Sequence, residues 1–461
     1  MSHLSTSLLV LFLLACRPDA TEDDTAKTPD TTGSSAVLIS DLTLEQSTLV
    51  PTVATVRWHT DTPLSGRLLV TVEGEPVREI AGSEGPQTDH EITLIGIPEG
   101  MTAAVVVEVF DSETTTTSEA LTFEAGLLDP AIPRPVLSTA EPLTDSGFIL
   151  TPIFSDSASW ITLLDPSGRM VWAMKDVDQA GHRARLLPDG TGVAWLWFGI
   201  GNQDSGVQAV SFDGSPLWRT SGKKLHQDFD LLDSETALIL GWEVVEQETD
   251  DGPITLLSDR IVKLNASGTT EEVWRLLDAI PYAPDPEQQP SEQVPEALDW
   301  AHVNYMAVHG DTLYLTALII DAVMILDLDT LDLDTLIVGG EPEDGMLFDG
   351  PHSAWPVEDG LVVFNHRGLN PDACSEVLTL PLDQTKPTRG ETLAIEDCYH
   401  ISYLGNAQPL SGGDVMVDWS NAGVLSVFSS DGVEQAALRM SLGGTFGYAE
   451  WVPTLGEPFS P

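Results

Sequence analysis

From Ala36 onward the chain is written in short runs in which apolar and polar residues alternate, with Gly, Pro, Asp and Asn between the runs. Period-two alternation buries one face of a strand and leaves the other in solvent. The three-to-four-residue spacing of an amphipathic helix is missing. The pattern therefore predicts an all-β protein, and the arrangement of the runs divides it.

VATVRWHT, GRLLVTVEG, HEITLIGI and AAVVVEVFD fall within residues 36–126. Runs of this number and length predict a small β-sandwich of the immunoglobulin or fibronectin type III kind, with Trp58 in its core. The proline-rich residues 127–136 then read as a linker. From residue 137 to 461 a two-part unit recurs. Its second half is a strand, a turn with Asp or Gly, and often a tryptophan, as in ITLLDPSGRMVWAM, AVSFDGSPLWRT and IVKLNASGTTEEVWRL. Its first half opens on a histidine or small residue before a hydrophobic strand, as in HRARLLPDGTGVAWLW, HQDFDLLDSETALIL and HVNYMAVHGDTLYLTAL. A degenerate first copy is expected at Pro142–Phe154. The leading residues are His182, His226, His302, His352 and Gly405, separated by 44, 76, 50 and 53 positions. About four short strands per 40–50 residues predict a β-propeller, here with six blades. The long interval carries an insertion, Glu246–Pro253 plus Tyr282–Leu298, expected on one face.

The first residues change the picture. LSTSLLVLFLLAC is too short to span a bilayer and resembles a bacterial lipoprotein signal, with Cys16 as the lipidation site. Residues 17–35 are rich in Pro, Thr and Asp without periodicity, and read as a disordered tether. This predicts an exported protein held to a membrane, expected to be the outer one, through a lipid anchor only. The remaining cysteines, Cys374 and Cys398, then suggest a disulfide, with two buried free thiols as the other reading.

Charge narrows the partners. With 72 acidic and 20 basic residues the formal charge is −52. Such a field repels nucleic acid, so no nucleic-acid partner is expected, and an anion site would have to be locally favourable. No phosphate-binding glycine loop or serine-hydrolase elbow stands in a fitting context. The run DLDTLDLDT (Asp327–Thr335) alternates carboxylates, but it lacks the glycine and closing glutamate of a calcium loop, and a blade hairpin explains the same period.

In a propeller, equivalent positions of successive blades return to the same central channel, so the leading histidines are expected to converge. Such a cluster can bind a metal, form an anion pocket, or supply a nucleophile oriented by its neighbours. Asp228, two residues after His226, is a candidate to orient a ring.

HQDF at His226, DWAHVN at Asp299–Asn304, PHSAWPVEDGLVVFNHRG at Pro351–Gly368 and GNAQPLSGGDVMV at Gly405–Val417 resemble the bacterial arylsulfate sulfotransferase family, in the same motif order. The resemblance implies a six-bladed propeller, small aryl sulfate and phenolic substrates, and no cofactor or metal. It implies that His352 carries the sulfuryl group, while His226, His302 and Asn304 hold its oxygens. It departs at one place: Leu318 stands where the family has an arginine, and Arg367 is the candidate substitute. That departure leaves a non-catalytic, ligand-binding propeller as the alternative.

Overall fold

In a computed structural model, the described residues are 37–456, apart from 83–84, 156–157, 177–178, 199–203, 251, 285–288, 292, 341–345, 368–372, 383–387, 391, 394–397 and 442. The signal, Cys16 and the tether lie outside them. Helix is nearly absent: one four-residue turn, Leu276–Ala279, and one 3-10 turn, Ser420–Ala422, occur among the described residues.

Seven strands precede the propeller. The longest, Ala54–Val72, serves two groups of partners. Its first part pairs with Ile39–Gln46 and Gln87–Leu94, and its second with Arg78–Ala81 and Thr102–Phe110. Its burial alternates residue by residue at both ends, as its sequence does. Trp58 is 3 % exposed and stacks on His90 at 4.6 Å.

Six blades follow. Blade 2 is Gln179–Leu186, Gly192–Phe198, Ser205–Ser211 and Pro216–Arg219. Blade 3 is Leu225–Asp233, Thr236–Thr249, Gly252–Asn265 and Thr270–Arg275. Blade 4 is Val303–His309, Thr312–Ala317, Ala322–Asp327 and Leu333–Val338. Blade 5 has Pro351–Val357, Gly360–Asn365 and Glu376–Pro381. Blade 6 is Asn406–Pro409, Val415–Asp418, Val424–Phe428 and Glu434–Met440.

Blade 1 corrects the sequence reading. Phe148–Ser155, expected within a degenerate first half, is the second strand of its blade, outside an inner segment drawn from the far end of the chain. Glu450, Trp451 and Val452 pair with Leu150, Ile149 and Phe148, and Gly444–Phe446 pairs with the other end of the same strand. Pro135–Leu137, which straddles the expected boundary between linker and propeller, adds a fifth strand to the outer edge of blade 6. The ring is thus closed by two exchanges. The insertion at Glu246–Pro253 is no loose loop: it extends a hairpin whose pairing runs unbroken from Thr236↔Asn265 to Thr249↔Gly252. In the run Asp327–Thr335, Asp327 receives the Thr330 amide at 2.8 Å and closes a turn between two strands.

Each innermost strand has no neighbour on its channel side, so its free edge exposes amides and carbonyls that must find partners. Polar side chains of the preceding blade supply them. Asp228 accepts from the Met306 amide at 2.9 Å, Asp230 from Val308 at 2.8 Å and Asp259 from Val303 at 3.1 Å. Asn304 donates to the Pro351 carbonyl at 3.1 Å, and Ser353 accepts from Ala407 at 3.2 Å. Gln408 accepts from and donates to the backbone of Trp451. Two of the carboxylates are balanced by blade 2: Arg183 reaches Asp228 at 3.2 Å, and Arg185 reaches Asp230 at 2.7 Å and also pairs with Glu450.

Asp230 is the harder cap to lose, because its removal leaves an amide unpaired and the buried Arg185 with Glu450 as its remaining carboxylate. Asp230→Ala is expected to lower unfolding free energy by about 3–5 kcal/mol, whereas Ser353→Ala costs about 1–2 kcal/mol. Denaturant titration of both variants checks the order; equal losses would show that the charged cap carries no special weight.

Candidate active site in the central channel

The inner strands start at one end of the ring, and the predicted histidines stand at or near those starts. His226 and His352 are second in their strands, His302 immediately precedes its strand, and His182 is fourth in a strand that begins earlier. Here the backbone leaves ordinary strand geometry. Gln227, His302, Arg367 and Leu404 are non-glycine residues with φ of 60°, 54°, 67° and 59°. Each such residue costs on the order of 1–3 kcal/mol, so its neighbours must hold it there.

The side chains fall into two groups. His226 and His302 have carboxylate partners: His226 Nε2 lies 3.2 Å from Asp259, and His302 Nδ1 lies 2.7 Å from Asp299. A carboxylate only accepts, so His302 Nδ1 carries a proton, and its Nε2 faces the Gln227 side-chain amide at 3.3 Å. His182, His352 and His366 have no carboxylate within ion-pair distance among the described residues. His182 packs edge-on against Phe154 and Phe198, and its Nδ1 has no hydrogen-bond partner. Burial pushes the imidazolium of His182 down to about 4, and that of His366 likewise to about 4. His352 is lowered well below the ordinary range, by burial first and then by repulsion from His366, with smaller effects of His302 and His182.

His352 sits in a defined cradle. Its ring is 5 % exposed and stacks on His366 at 4.4 Å and on Tyr448 at 5.6 Å. Its Nδ1 lies 3.2 Å from the Gly405 carbonyl and 2.9 Å from the Tyr448 hydroxyl. That hydroxyl donates to the Asn304 carbonyl at 3.0 Å, and burial keeps the phenol protonated. With one partner a carbonyl and the other donating elsewhere, Nδ1 must be the protonated nitrogen. Nε2 then holds the lone pair. His366 is fixed in the opposite sense, donating from Nε2 to the Leu404 carbonyl at 2.6 Å.

Other expected residues are placed differently. Both ends of the Asn304 side chain are engaged, Nδ2 with Pro351 and Oδ1 with the Thr316 hydroxyl at 2.6 Å, so it caps the next blade. Arg367 pairs with Glu376 at 3.3 Å, a carboxylate it shares with Arg389. Asp228 pairs with Arg183 rather than orienting a ring. Leu318 lies beside His302, donating its amide to the His302 carbonyl at 3.0 Å. Cys374 and Cys398 form a disulfide with a Cα separation of 5.1 Å. It closes the segment in which Ser375 binds the backbone of Tyr399 and Ile401, just before Leu404 and Gly405.

Sequence reasoning missed Tyr448 and Arg183. Arg183 is buried, with its guanidinium between the rings of Tyr305 and Tyr448 at 5.0 and 4.8 Å. A signal was present: HRAR and HQDFD place alternating charges of opposite sign behind consecutive leading histidines. No comparable signal marks Tyr448. Among the described residues, no group of three or more His, Cys, Asp or Glu is placed to hold a metal.

Comparison with known proteins adds a family. The pattern of the family described as arylsulfotransferase (ASST) matches residues 106–339, which include His182, His226 and His302 and end before His352. No curated protein matches the chain. Similar solved structures include a Bacteroides caccae protein of unknown function, 12 % identical, covering 66 % of this chain and 98 % of its own, with a TM-score of 0.40. A catalytically inactive virginiamycin B lyase from Staphylococcus aureus with quinupristin is 11 % identical, covering 67 % and 98 %, with a TM-score of 0.36. Apo AztD from Citrobacter koseri is 13 % identical, covering 86 % and 99 %, with a TM-score of 0.29. Scores this low leave the fold resting on the strand pairing described above. The family match spans just over half of the chain, and the chain belongs to the arylsulfotransferase family.

Proposed function

We propose that this protein transfers a sulfuryl group from an aryl sulfate to a phenol through Nε2 of His352. The observation that carries the reading is the Nδ1 cradle of Gly405 and Tyr448, which leaves a neutral imidazole with its lone pair on the other nitrogen. A neutral imidazole is a competent nucleophile without an adjacent base. In the first half-reaction the Nε2–S bond forms, the S–O(aryl) bond breaks, and the aryloxide leaves with the electron pair. In the second, the phenol oxygen attacks sulfur, the N–S bond breaks, the pair returns to Nε2, and the phenolic proton passes to solvent or to the aryloxide. His302, held by Asp299, and His226, whose Nε2 lies near Asp259 without a hydrogen bond, are the groups assigned to the sulfuryl oxygens.

The same reading takes the N-terminal strands as an immunoglobulin- or fibronectin-like spacer and Cys16 as the lipid anchor of an exported chain. A second reading, a propeller that binds an aromatic or anionic ligand without turnover, is favoured by one observation. Leu318, whose amide bonds the His302 carbonyl, brings no positive charge to this segment, and Arg367 is engaged elsewhere.

The deciding experiment incubates the protein with a chromogenic aryl sulfate, with and without phenol, beside His352→Ala. Phenol-dependent release that disappears in the variant supports the transferase; no release from folded protein supports the binding propeller. Tyr448→Phe removes one hydrogen bond from Nδ1 and is expected to lower kcat by about threefold to tenfold, the equivalent of roughly 0.5–1.5 kcal/mol. An unchanged kcat would remove Tyr448 from the mechanism. The pH profile gives an independent check. The nucleophile must be unprotonated, and burial lowers the pKa of His352 from 6.5, so kcat/KM is expected to stay level as pH falls through 6.5. It should decline only towards the range near 4 where His182 and His366 charge. A decline centred near 6.5 would contradict a buried neutral nucleophile.

A further inference from the structure

The channel has a second mouth. Following the inner strands away from the histidines, Arg183, Asp228, Tyr305 and Tyr448 form a packed layer, since Arg183 contacts Asp228 and both tyrosine rings. Two to four residues further along the same strands the chain reaches Arg185, Asp230, His309 and Glu450. These border a cavity of about 380 Å³ to which all six inner strands contribute. The layer separates this cavity from His352, so it is not part of the site already described.

Its chemistry differs from that of the histidine mouth. Trp355 and Trp451 line it, and His309 packs on Trp355 at 4.4 Å between ring centroids. The Trp355 indole is held by a hydrogen bond from Nε1 to Asn406 at 3.2 Å. Three charged groups line it: Arg185, and the two carboxylates of Asp230 and Glu450 that pair with it. One positive charge against two negative ones leaves a surplus carboxylate in a partly buried, ring-walled space. Indole faces attract cations, and a net negative cavity rejects a second anion, an aryl sulfate included. The field of a chain with a formal charge of −52 draws cations to such a mouth.

We infer that this far mouth is a binding site for a small organic cation, an aromatic or methylated ammonium compound, held by Trp355, Trp451 and the surplus carboxylate at Glu450.

The test titrates the intact protein with benzyltrimethylammonium, its uncharged carbon isostere neopentylbenzene, and phenyl sulfate, reading tryptophan fluorescence and calorimetry. Saturable binding of the cation, at least about tenfold tighter than the isostere, is expected. Binding should persist in His352→Ala, weaken about tenfold in Trp355→Leu, and lose its preference for the cation in Glu450→Gln. Because Glu450 also holds Arg185, Trp451→Leu serves as a second variant, with the same weakening expected. The inference is overturned if folded protein shows no saturable binding, if isostere and cation bind alike, if Trp355→Leu and Trp451→Leu bind as wild type, or if His352→Ala abolishes binding.

Discussion

A strand at the centre of a propeller lacks a partner on one side, and this unsatisfied edge is the constraint from which the rest of the architecture follows. Water reaches the narrow channel poorly, so the amides and carbonyls of that edge need protein partners. Here blades 3 to 6 each lend the next a polar side chain: Asp228 and Asp230 to blade 4, Asn304 to blade 5, Ser353 to blade 6, Gln408 to the closing strand. Because these caps come from the preceding blade, register is transmitted from blade 3 round to the closing strand. The carboxylate caps in turn need counter-charges, which accounts for two fully buried arginines in a protein with few basic residues. The charged layer at mid-channel is thus first a structural device, and it divides the channel into two ends with different chemistry.

At the histidine end the device shapes reactivity. Tyr448 belongs to the capping system through its bond to the Asn304 carbonyl, and the same hydroxyl fixes the His352 tautomer. Polarity is kept low there: three histidines are held neutral by burial, while two others keep carboxylates at hand. A neutral imidazole beside orientable donors suits the group transfer proposed above, whose charge shifts between oxygen atoms. The uncharged Leu318, where the motifs imply an arginine, is the residue that most separates this chain from them.

Much of this was legible in the chain. Alternation and turn residues marked the blades because each blade is built from neighbours in sequence, and the recurrence of His182, His226, His302 and His352 marked the channel because the repeat returns them to one end. Long-range relations left no such trace. The pairing of Trp451 with Ile149 joins segments about 300 positions apart, and nothing local in FGYAEWVP indicates the strand it completes. Asn304 shows the opposite failure. Its motif is conspicuous, yet its amide is engaged with Pro351 and Thr316, because the same polarity that suits a ligand also suits a free strand edge. Arg367 likewise answered a need for positive charge in the sequence, while in the fold a nearer carboxylate, Glu376, claims it.

The exchange that closes the ring has a consequence for how the protein comes into being. As the chain leaves the ribosome, blades 2 to 6 can each pair their own strands as they emerge, but blade 1, whose other strands also pair locally, waits for its inner strand Glu450–Val452. That same late segment delivers Tyr448 to His352 and Glu450 to Arg185. A nascent or prematurely ended polypeptide would therefore hold its histidines without the hydroxyl that helps fix the tautomer of His352. The topology acts as a proofreading step, in which competence at both mouths arrives together and only after the propeller has been spelled out.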